Sequence, residues 1–394
     1  MERSSLTSPA VVLGLLRQAG PLTRAELLER TGMARSTLVE KVEVLRRHRL
    51  IRDAEVRRGT GGRPATALAF DGTGRHLLVV DLGATHVTLA LADLHLRLLA
   101  VRRERLDTFA GPDVVLPAVA AAARALLDDA AAAGLRRRPL LGLGVGFPGP
   151  VAPDRATLEE QTMMRDWDGA DISGALRREF GVDVLVENDA NAMAFGEHVA
   201  ALAHGASRYE SLLVVKVSTG IGAGLIVDGT LHRGASGGAG EIGHVRLDGE
   251  DRPCTCGARG CLGAVASGRA LLAALRVRGA RRLSDVVGQI GAGDPAALGA
   301  VRTAGAKIGA ALANAVTMVD PDAVLLGGEV GRLPAFVAAV RGPLFELVSA
   351  RTARRLRLDR TMLADDSAIT GLAGLVVDAR LAPDSVHAML DSTG

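Results

Sequence analysis

The chain has 394 residues, 48% hydrophobic and 23% charged, enough for two or three domains with buried cores. No uncharged apolar run reaches the roughly eighteen residues of a membrane span, and the start, Met1-Glu2-Arg3, carries no apolar leader, so no membrane is expected and the cytoplasm is the expected compartment. The net charge of +3 is uneven: residues 1–70 hold thirteen Arg or Lys against seven Asp or Glu, which suits an anionic partner for the N-terminal part. All basic residues but Lys41, Lys216 and Lys307 are arginine, so position carries more information than number.

Val11, Val12, Leu15 and Leu16 make one helical stripe, which Gly20-Pro21 ends. Thr23-Arg24-Ala25-Glu26 reads as a capping box opening a second helix, which carries Leu27 and Leu28 and turns at Thr31-Gly32. In a third helix Leu38, Val42 and Leu45 recur at i, i+4 and i+7, leaving Arg35, Ser36, Thr37, Glu40 and Lys41 outward. Short helix, glycine turn and a helix with a polar N-terminal half is the helix-turn-helix order. After Leu50-Ile51 the chain passes through Val56 to Pro64 into the strand-like Ala65 to Phe70, a two-stranded wing with a basic tip. Arg35, Ser36, Thr37 and Lys41 are the expected base readers, and Arg57, Arg58 and Arg63 the expected phosphate or minor-groove contacts on double-stranded DNA. A helical dimerisation domain with a solvated basic face is the competing reading; turn, wing and charge together favour DNA.

From Leu77 the pattern changes. Leu77 to Val80 runs into Asp81-Leu82-Gly83-Ala84-Thr85 and resumes as Val87 to Leu91, a hairpin whose turn amides suit a phosphate. Leu213 to Val217 leads into Ser218-Thr219-Gly220-Ile221-Gly222 and back through Leu225 to Val227, repeating the arrangement. A late glycine turn, Gly327-Gly328, follows another strand. Two phosphate-type hairpins and a glycine turn describe a two-lobed α/β nucleotide-clamping fold, with the Ala-rich stretches at 117–134 and 299–316 as packing helices. Asp81, Gly83, Thr85, Thr219, Gly220 and Gly222 are the expected phosphate-loop residues. The strand from Val182 to Val186 delivers Asn188 and Asp189 to a helix start, where they either meet a ligand's hydroxyls or merely cap the helix.

All three cysteines fall between 254 and 261, and with His244 they read H-x9-C-x-C-x4-C. Four nitrogen and sulfur ligands with no open position suit a tetrahedral structural Zn²⁺; three inert buried thiols are the alternative. Glu241 precedes His244 by three residues, so such an ion would fix a loop that aims Glu241 into a cleft.

Together these elements resemble the ROK family, named for repressors, open reading frames and sugar kinases. The resemblance covers nearly the whole chain and is most specific at Glu241-Ile242-Gly243-His244 and Cys254-Thr255-Cys256-Gly257-Ala258-Arg259-Gly260-Cys261. It implies an actin/hexokinase-like (ribonuclease H-like) two-lobed fold with a structural zinc site, preceded by a winged helix-turn-helix. The expected divisions are a DNA-binding domain at 1–70, a first lobe at 71–190 completed by about 365–394, and a second lobe with the zinc site at 191–364. By the resemblance Asp189 matches a kinase base, Asn188, Glu241 and His244 match sugar contacts, and members with such an N-terminal head are typically sugar-responsive transcription factors. The kinase pattern is broken at three places: Gly83-Ala84-Thr85-His86 replaces Gly-Gly-Thr-Lys, Gly263 stands where a glutamate ligand is common, and Met163 where an asparagine touches the sugar.

The expectation is therefore a dimeric or tetrameric repressor whose ROK domain binds a sugar or sugar derivative. A sugar kinase using ATP and Mg²⁺, with Asp189 catalytic, and an empty dimer scaffold are the alternatives.

Overall fold

A computed structural model describes residues 8–56, 65–152, 158, 164–203 and 209–391. Helix α1 (Pro9–Ala19) starts on a proline, which suits a first turn that needs no amide donor, and buries Ala10, Val12, Leu13 and Leu16. Its buried stripe is thus centred on Val12, Leu13 and Leu16, with Val11 and Leu15 only partly covered. Strand β1 (Leu22–Thr23) runs directly into α2 (Arg24–Thr31). There the Thr23 hydroxyl accepts from the Glu26 amide at 3.3 Å while the Glu26 carboxylate accepts from the Thr23 amide at 2.8 Å, the reciprocal cap expected. Gly32 ends α2 at φ 66°, a left-handed conformation, and α3 (Arg35–Arg47) follows with Leu38, Val42 and Leu45 buried. Strands β2 (Ile51–Val56) and β3 (Ala65–Phe70) form the antiparallel pair, and β1 adds to the far edge of β3, a third strand not foreseen.

The next sheet holds β4 (His76–Leu82), β5 (His86–Asp93) and β6 (Leu98–Arg105), an antiparallel meander crossed over by α4 (Pro112–Ala132) to β7 (Leu140–Phe147). Helix α5 (Ile172–Phe180) then leads to β8 (Val184–Asn188), and both late strands run parallel to β4 or its neighbour. The order is β6-β5-β4-β7-β8. Helix α6 (Asp189–Ala203) precedes a second sheet of β9 (Leu212–Val217), β10 (Ile221–Val227) and β11 (Thr230–His232). After α7 (Leu262–Ala266), α8 (Gly268–Leu275), α9 (Leu283–Gly291) and α10 (Pro295–Val319) come β12 (Ala323–Gly327), α11 (Gly328–Gly331), α12 (Pro334–Leu347), α13 (Ala350–Arg355) and β13 (Arg357–Arg360). This order is β11-β10-β9-β12-β13, so the two sheets share one topology: a three-strand meander with two parallel strands added beside its first strand. The repeated hairpin seen in the sequence is the start of that repeat.

The chain ends in α14 (Ser367–Arg380) and α15 (Pro383–Asp391). Helix α14 packs on β4 and β7, α6 packs on β9 and β10, and the two helices pack on each other between the sheets. Small residues permit that approach: a methyl at Gly371 would lie 1.8 Å from the Ala192 carbonyl oxygen, and one at Gly196 would lie 2.0 Å from that of Ser367. Gly371→Ala is therefore expected to push the pair apart and lower unfolding stability by about 2–3 kcal/mol, read as a lower urea midpoint. An unchanged midpoint would show that the helices separate freely. Helix α1 in turn packs on α15, with Arg17 within 3.3 Å of Asp378, so one apolar core runs from α1 through α14 to the first sheet.

Candidate functional site

A cleft of about 140 Å³ opens where the β4–β5 turn, the β9–β10 turn and the start of α6 converge. Among the residues expected there, Gly83, Asn188, Asp189, Thr219, Gly220, Gly222, Glu241 and His244 line it. Thr85 does not: it is exposed outside the cleft, its carbonyl accepting from the Leu106 amide, and His86 takes the inner place at the head of β5. The β4–β5 turn is fixed by the Gly83 amide donating to the His86 carbonyl at 2.8 Å. In the β9–β10 turn the carbonyls of Ser218 and Thr219 accept from the amides of Gly268 and Arg269 at 2.8 and 3.2 Å, which ties the turn to α8. Gly263 also faces the cleft; a methyl there would lie 3.1 Å from the Gly243 carbonyl oxygen, so the backbone is set close for a glycine.

Asn188 does cap α6: its Oδ1 accepts from the amides of Ala190 and Asn191 at 3.0 and 3.1 Å, while its Nδ2 donates to the Gly149 carbonyl. Its presence on the cleft wall is therefore shared with a structural duty. Asp189 is different. It is 6% exposed, and its Oδ2 accepts from Lys216 Nζ at 2.5 Å. Lys216 reaches in from the last but one position of β9, an otherwise apolar strand, and was not among the expected site residues. A lone lysine in Leu212–Val217, in a chain with only three, was the available sign.

Asp81 lies behind the cleft wall, near the end of β4, and its buried Oδ1 has no hydrogen-bond partner among the described residues. Burial raises its pKa above the ordinary carboxylate value and Asp189 adds to this, while Lys216 and His86 oppose it. For Lys216 burial pulls the pKa down, but attraction to Asp189 and Asp81 outweighs it and leaves the ammonium more basic than usual. The centre of the site is thus an ammonium held between two acids. Lys216 thus occupies the hydrogen-bonding position on Asp189 Oδ2, and its charge also acts on Asp81.

The second centre is the thiolate cluster. The ligand atoms of His244, Cys254, Cys256 and Cys261 all lie within 4.8 Å of one another, with Cys254 Sγ to His244 Nδ1 at 3.6 Å and Cys256 Sγ to Cys261 Sγ at 3.7 Å. A tetrahedral ion with metal–sulfur bonds of about 2.3 Å spaces its sulfurs about 3.8 Å apart, so the donor set fits one. Burial pushes the Cys261 thiol up to about 12, and neighbouring thiols add to it. Cys254 goes the other way, to about 7, because hydrogen bonds from Cys256, Cys261 and His244 overcome its burial. With Nδ1 toward the cysteines, His244 Nε2 lies 3.8 Å from Glu241 Oε2, so the cluster and the cleft share one imidazole. Burial raises the Glu241 pKa, against the pull of His244.

On the N-terminal head, α3 exposes Arg35, Ser36, Val39, Glu40, Glu43 and Arg47. Thr37 and Lys41, expected outward, are only half exposed, and Lys41 Nζ bonds Glu40 at 2.9 Å. The inward stripe Leu38, Val42 and Leu45 and the outward Arg35, Ser36 and Glu40 are as expected; Thr37 and Lys41 fall on the flanks, and Val39 is exposed between them. Ala34 offers α3 no side-chain cap and its first turn holds no acid, so the helix start presents amides and Arg35. Arg57, Arg58 and Arg63 lie outside the described residues. Among the described residues no helix is long and apolar enough to cross a membrane.

The sequence profile of the ROK family matches residues 77–379. The chain belongs to the ROK family. The xylose repressor of Bacillus subtilis strain 168 is 27% identical over 366 residues, covering 91% of each chain. The DNA-binding transcriptional dual regulator NagC of Escherichia coli K12 is 27% identical over 335 residues, covering 82% of this chain and 80% of its own. In three dimensions a ROK family transcriptional regulator, a homologue of the E. coli MLC protein, matches 99% of this chain and 100% of its own at a TM-score of 0.77 and 22% identity. A ROK hexokinase from Thermus thermophilus is 30% identical and matches 99% of its own length but 79% of this chain, at a TM-score of 0.59. The ROK fold, with its kinase-like neighbours, is thus the fold of this chain.

Proposed function

We propose that this protein is a DNA-binding transcriptional repressor of the ROK family that responds to a sugar or sugar derivative bound in the kinase-like cleft. The observation that carries the reading is coverage: the regulator fold takes in 99% of the chain, whereas the hexokinase leaves about a fifth unmatched, and the family profile begins only at residue 77. The chain ahead of residue 77 holds α1 to α3 and the β2–β3 pair, which we assign as a winged helix-turn-helix over residues 1–70. We assign lobe 1 to 71–190, completed by about 365–394, and lobe 2 to 191–364.

In this reading Arg35 and the open start of α3 meet DNA, and the wing arginines Arg57, Arg58 and Arg63 supply phosphate contacts. Asn188, Asp189, Glu241 and His244 hold the ligand's hydroxyls. A Zn²⁺ held by His244, Cys254, Cys256 and Cys261 supplies no chemistry; it braces the loop that sets Glu241. A homodimer or tetramer, working in the cytoplasm, presents two heads to a two-fold operator, and the ligand acts by binding the DNA-competent and released forms unequally.

The kinase alternative keeps Asp189, Thr219, Gly220 and Gly222, but the Lys216–Asp189 pair and the absent turn lysine both weigh against it. The test uses the purified full chain in mobility shifts with its own promoter fragment at low salt, with D-xylose, D-glucose and N-acetyl-D-glucosamine added in turn. Retarded DNA that one sugar releases is expected. Absence of any shift, together with sugar-dependent ATP turnover that Asp189→Ala abolishes, would overturn the reading in favour of a kinase.

A further inference from the structure

We propose that Val39 is the residue through which the head reads a thymine, by packing against the base's 5-methyl group in the major groove; this deepens, and rests on, the DNA-binding reading above. Val39 is 56% exposed near the middle of the outward stripe of α3, which reads Arg35, Ser36, Val39, Glu40, Glu43 and Arg47. A single exposed valine needs no explanation by itself. Its setting does. The stripe has arginines at both ends, twelve residues apart, which at 1.5 Å per residue is about 18 Å of helix. Its middle holds one apolar side chain and two acids.

That distribution suits a groove and not a plain phosphate clamp. Phosphates on either wall of a major groove about 12 Å wide are within reach of the two arginines. A phosphate facing the middle would meet Glu40 and Glu43, whose pairing with Lys41 and Arg46 leaves little net attraction for it. Base edges are the surface that accepts such a middle: a carboxylate takes the cytosine amino hydrogen, and an apolar group covers the thymine methyl. Glu40 is already bonded to Lys41 at 2.9 Å, and Glu43 lies 3.7 Å from Arg46, so both acids are held along the helix with Val39 standing beside them. A β-branched residue is also a weak choice for an exposed helix position in the free protein, where it packs on little.

The test takes the operator recovered from a binding selection with the full-length protein. Each thymine is replaced in turn by deoxyuridine, which removes only the methyl, and affinity is measured by fluorescence anisotropy at fixed salt. At one thymine per half-site the wild type should bind about three- to fivefold more weakly, the worth of one buried methyl-sized group. Val39→Ala should weaken binding to the thymine operator by a similar factor and be indifferent to deoxyuridine at that position; Val39→Thr, which keeps one methyl, should retain part of the discrimination. If wild type binds tightly but no position shows sensitivity that Val39→Ala erases, this inference fails while the DNA-binding reading stands. If wild type binds no DNA, both fail. If Val39→Ala instead changes the oligomeric mass, the residue belongs to a protein contact and the inference is overturned.

Discussion

If the cluster holds the Zn²⁺ assigned to it, replacing Cys261 with serine is expected to release that ion, lower the melting temperature and weaken the sugar response by about ten- to a hundredfold, while leaving DNA binding by the head within about twofold. The segment from Val245 to Cys261 has almost no regular structure: it is joined by isolated bridges, Arg246 to Cys261 and Pro253 to Arg259, and by a few backbone hydrogen bonds such as Leu247 to Gly260. Its apolar anchoring falls largely on Cys261 and Leu262 at the start of α7, both fully buried. A loop so short of core would depend on an ion held by the cluster, and structural zinc binding is worth on the order of 10 kcal/mol of folding free energy in small zinc domains. In a larger chain that free energy holds the loop, not the fold, so local opening is the expected outcome. Glu241 then loses the imidazole beside it, and loss of such orienting contacts commonly costs ten- to a hundredfold in affinity, on the order of 1–3 kcal/mol. Zinc per chain by elemental assay, melting by calorimetry and sugar-dependent thermal shift are the readouts. A variant that keeps one zinc per chain, or that responds at the same sugar concentrations as the wild type, would sink the assignment of this cluster as the brace of the cleft.

What could be read in the sequence was what is encoded locally. Thr23 and Glu26 cap their helix through a three-residue spacing; Leu38, Val42 and Leu45 bury one face through helical period; the cysteines cluster within eight residues. The two hairpins were visible because each keeps its strands and turn in one stretch, and their repetition pointed to two lobes. What was missed depends on distant partners. Strand β1 has two residues, too few for any period, and exists because β3 offers an edge. Gly196 and Gly371 carry meaning only once α6 meets α14. On α3 the inward stripe was legible, but the edges of the outward face were not: polarity put Thr37 and Lys41 outward, where they are only half exposed, and passed over the exposed Val39. Thr85 fell outside the cleft because a tight turn swaps inside for outside over a single residue. Lys216 could have been noticed, since an ammonium in an apolar strand demands a carboxylate somewhere, but the identity of that carboxylate is a matter of tertiary structure.

That lysine is the subject of the second large effect. Lys216→Met is expected to destabilise the protein by about 3–5 kcal/mol near neutral pH, because it leaves Asp81 and Asp189 buried close to each other without their cation. The pH dependence separates this from a packing defect. Burial already holds the Asp81 pKa above its unfolded value, and Lys216 is the main influence opposing that rise. Without it the folded pKa climbs further. A carboxyl whose folded pKa is raised contributes stability that is fully present below the unfolded pKa, about 4, and is lost as pH rises through the folded pKa. The deficit of Lys216→Met should therefore be small at about pH 4–5 and grow toward about pH 8, read as the gap between variant and wild-type urea midpoints. In the wild type Lys216 itself follows the corresponding rule for a raised lysine: its contribution is whole below its unfolded pKa of about 10.5 and is lost only as pH climbs through the higher folded value. The double variant Lys216→Met, Asp189→Asn keeps one acid with no like charge beside it and should recover about half of the loss, on the order of 2 kcal/mol, at about pH 8. A gap that stays constant across this range would mean that the methionine merely packs badly. A gap that widens with pH would show that the ammonium, and not packing alone, offsets the cost of keeping a charged Asp81 buried beside Asp189.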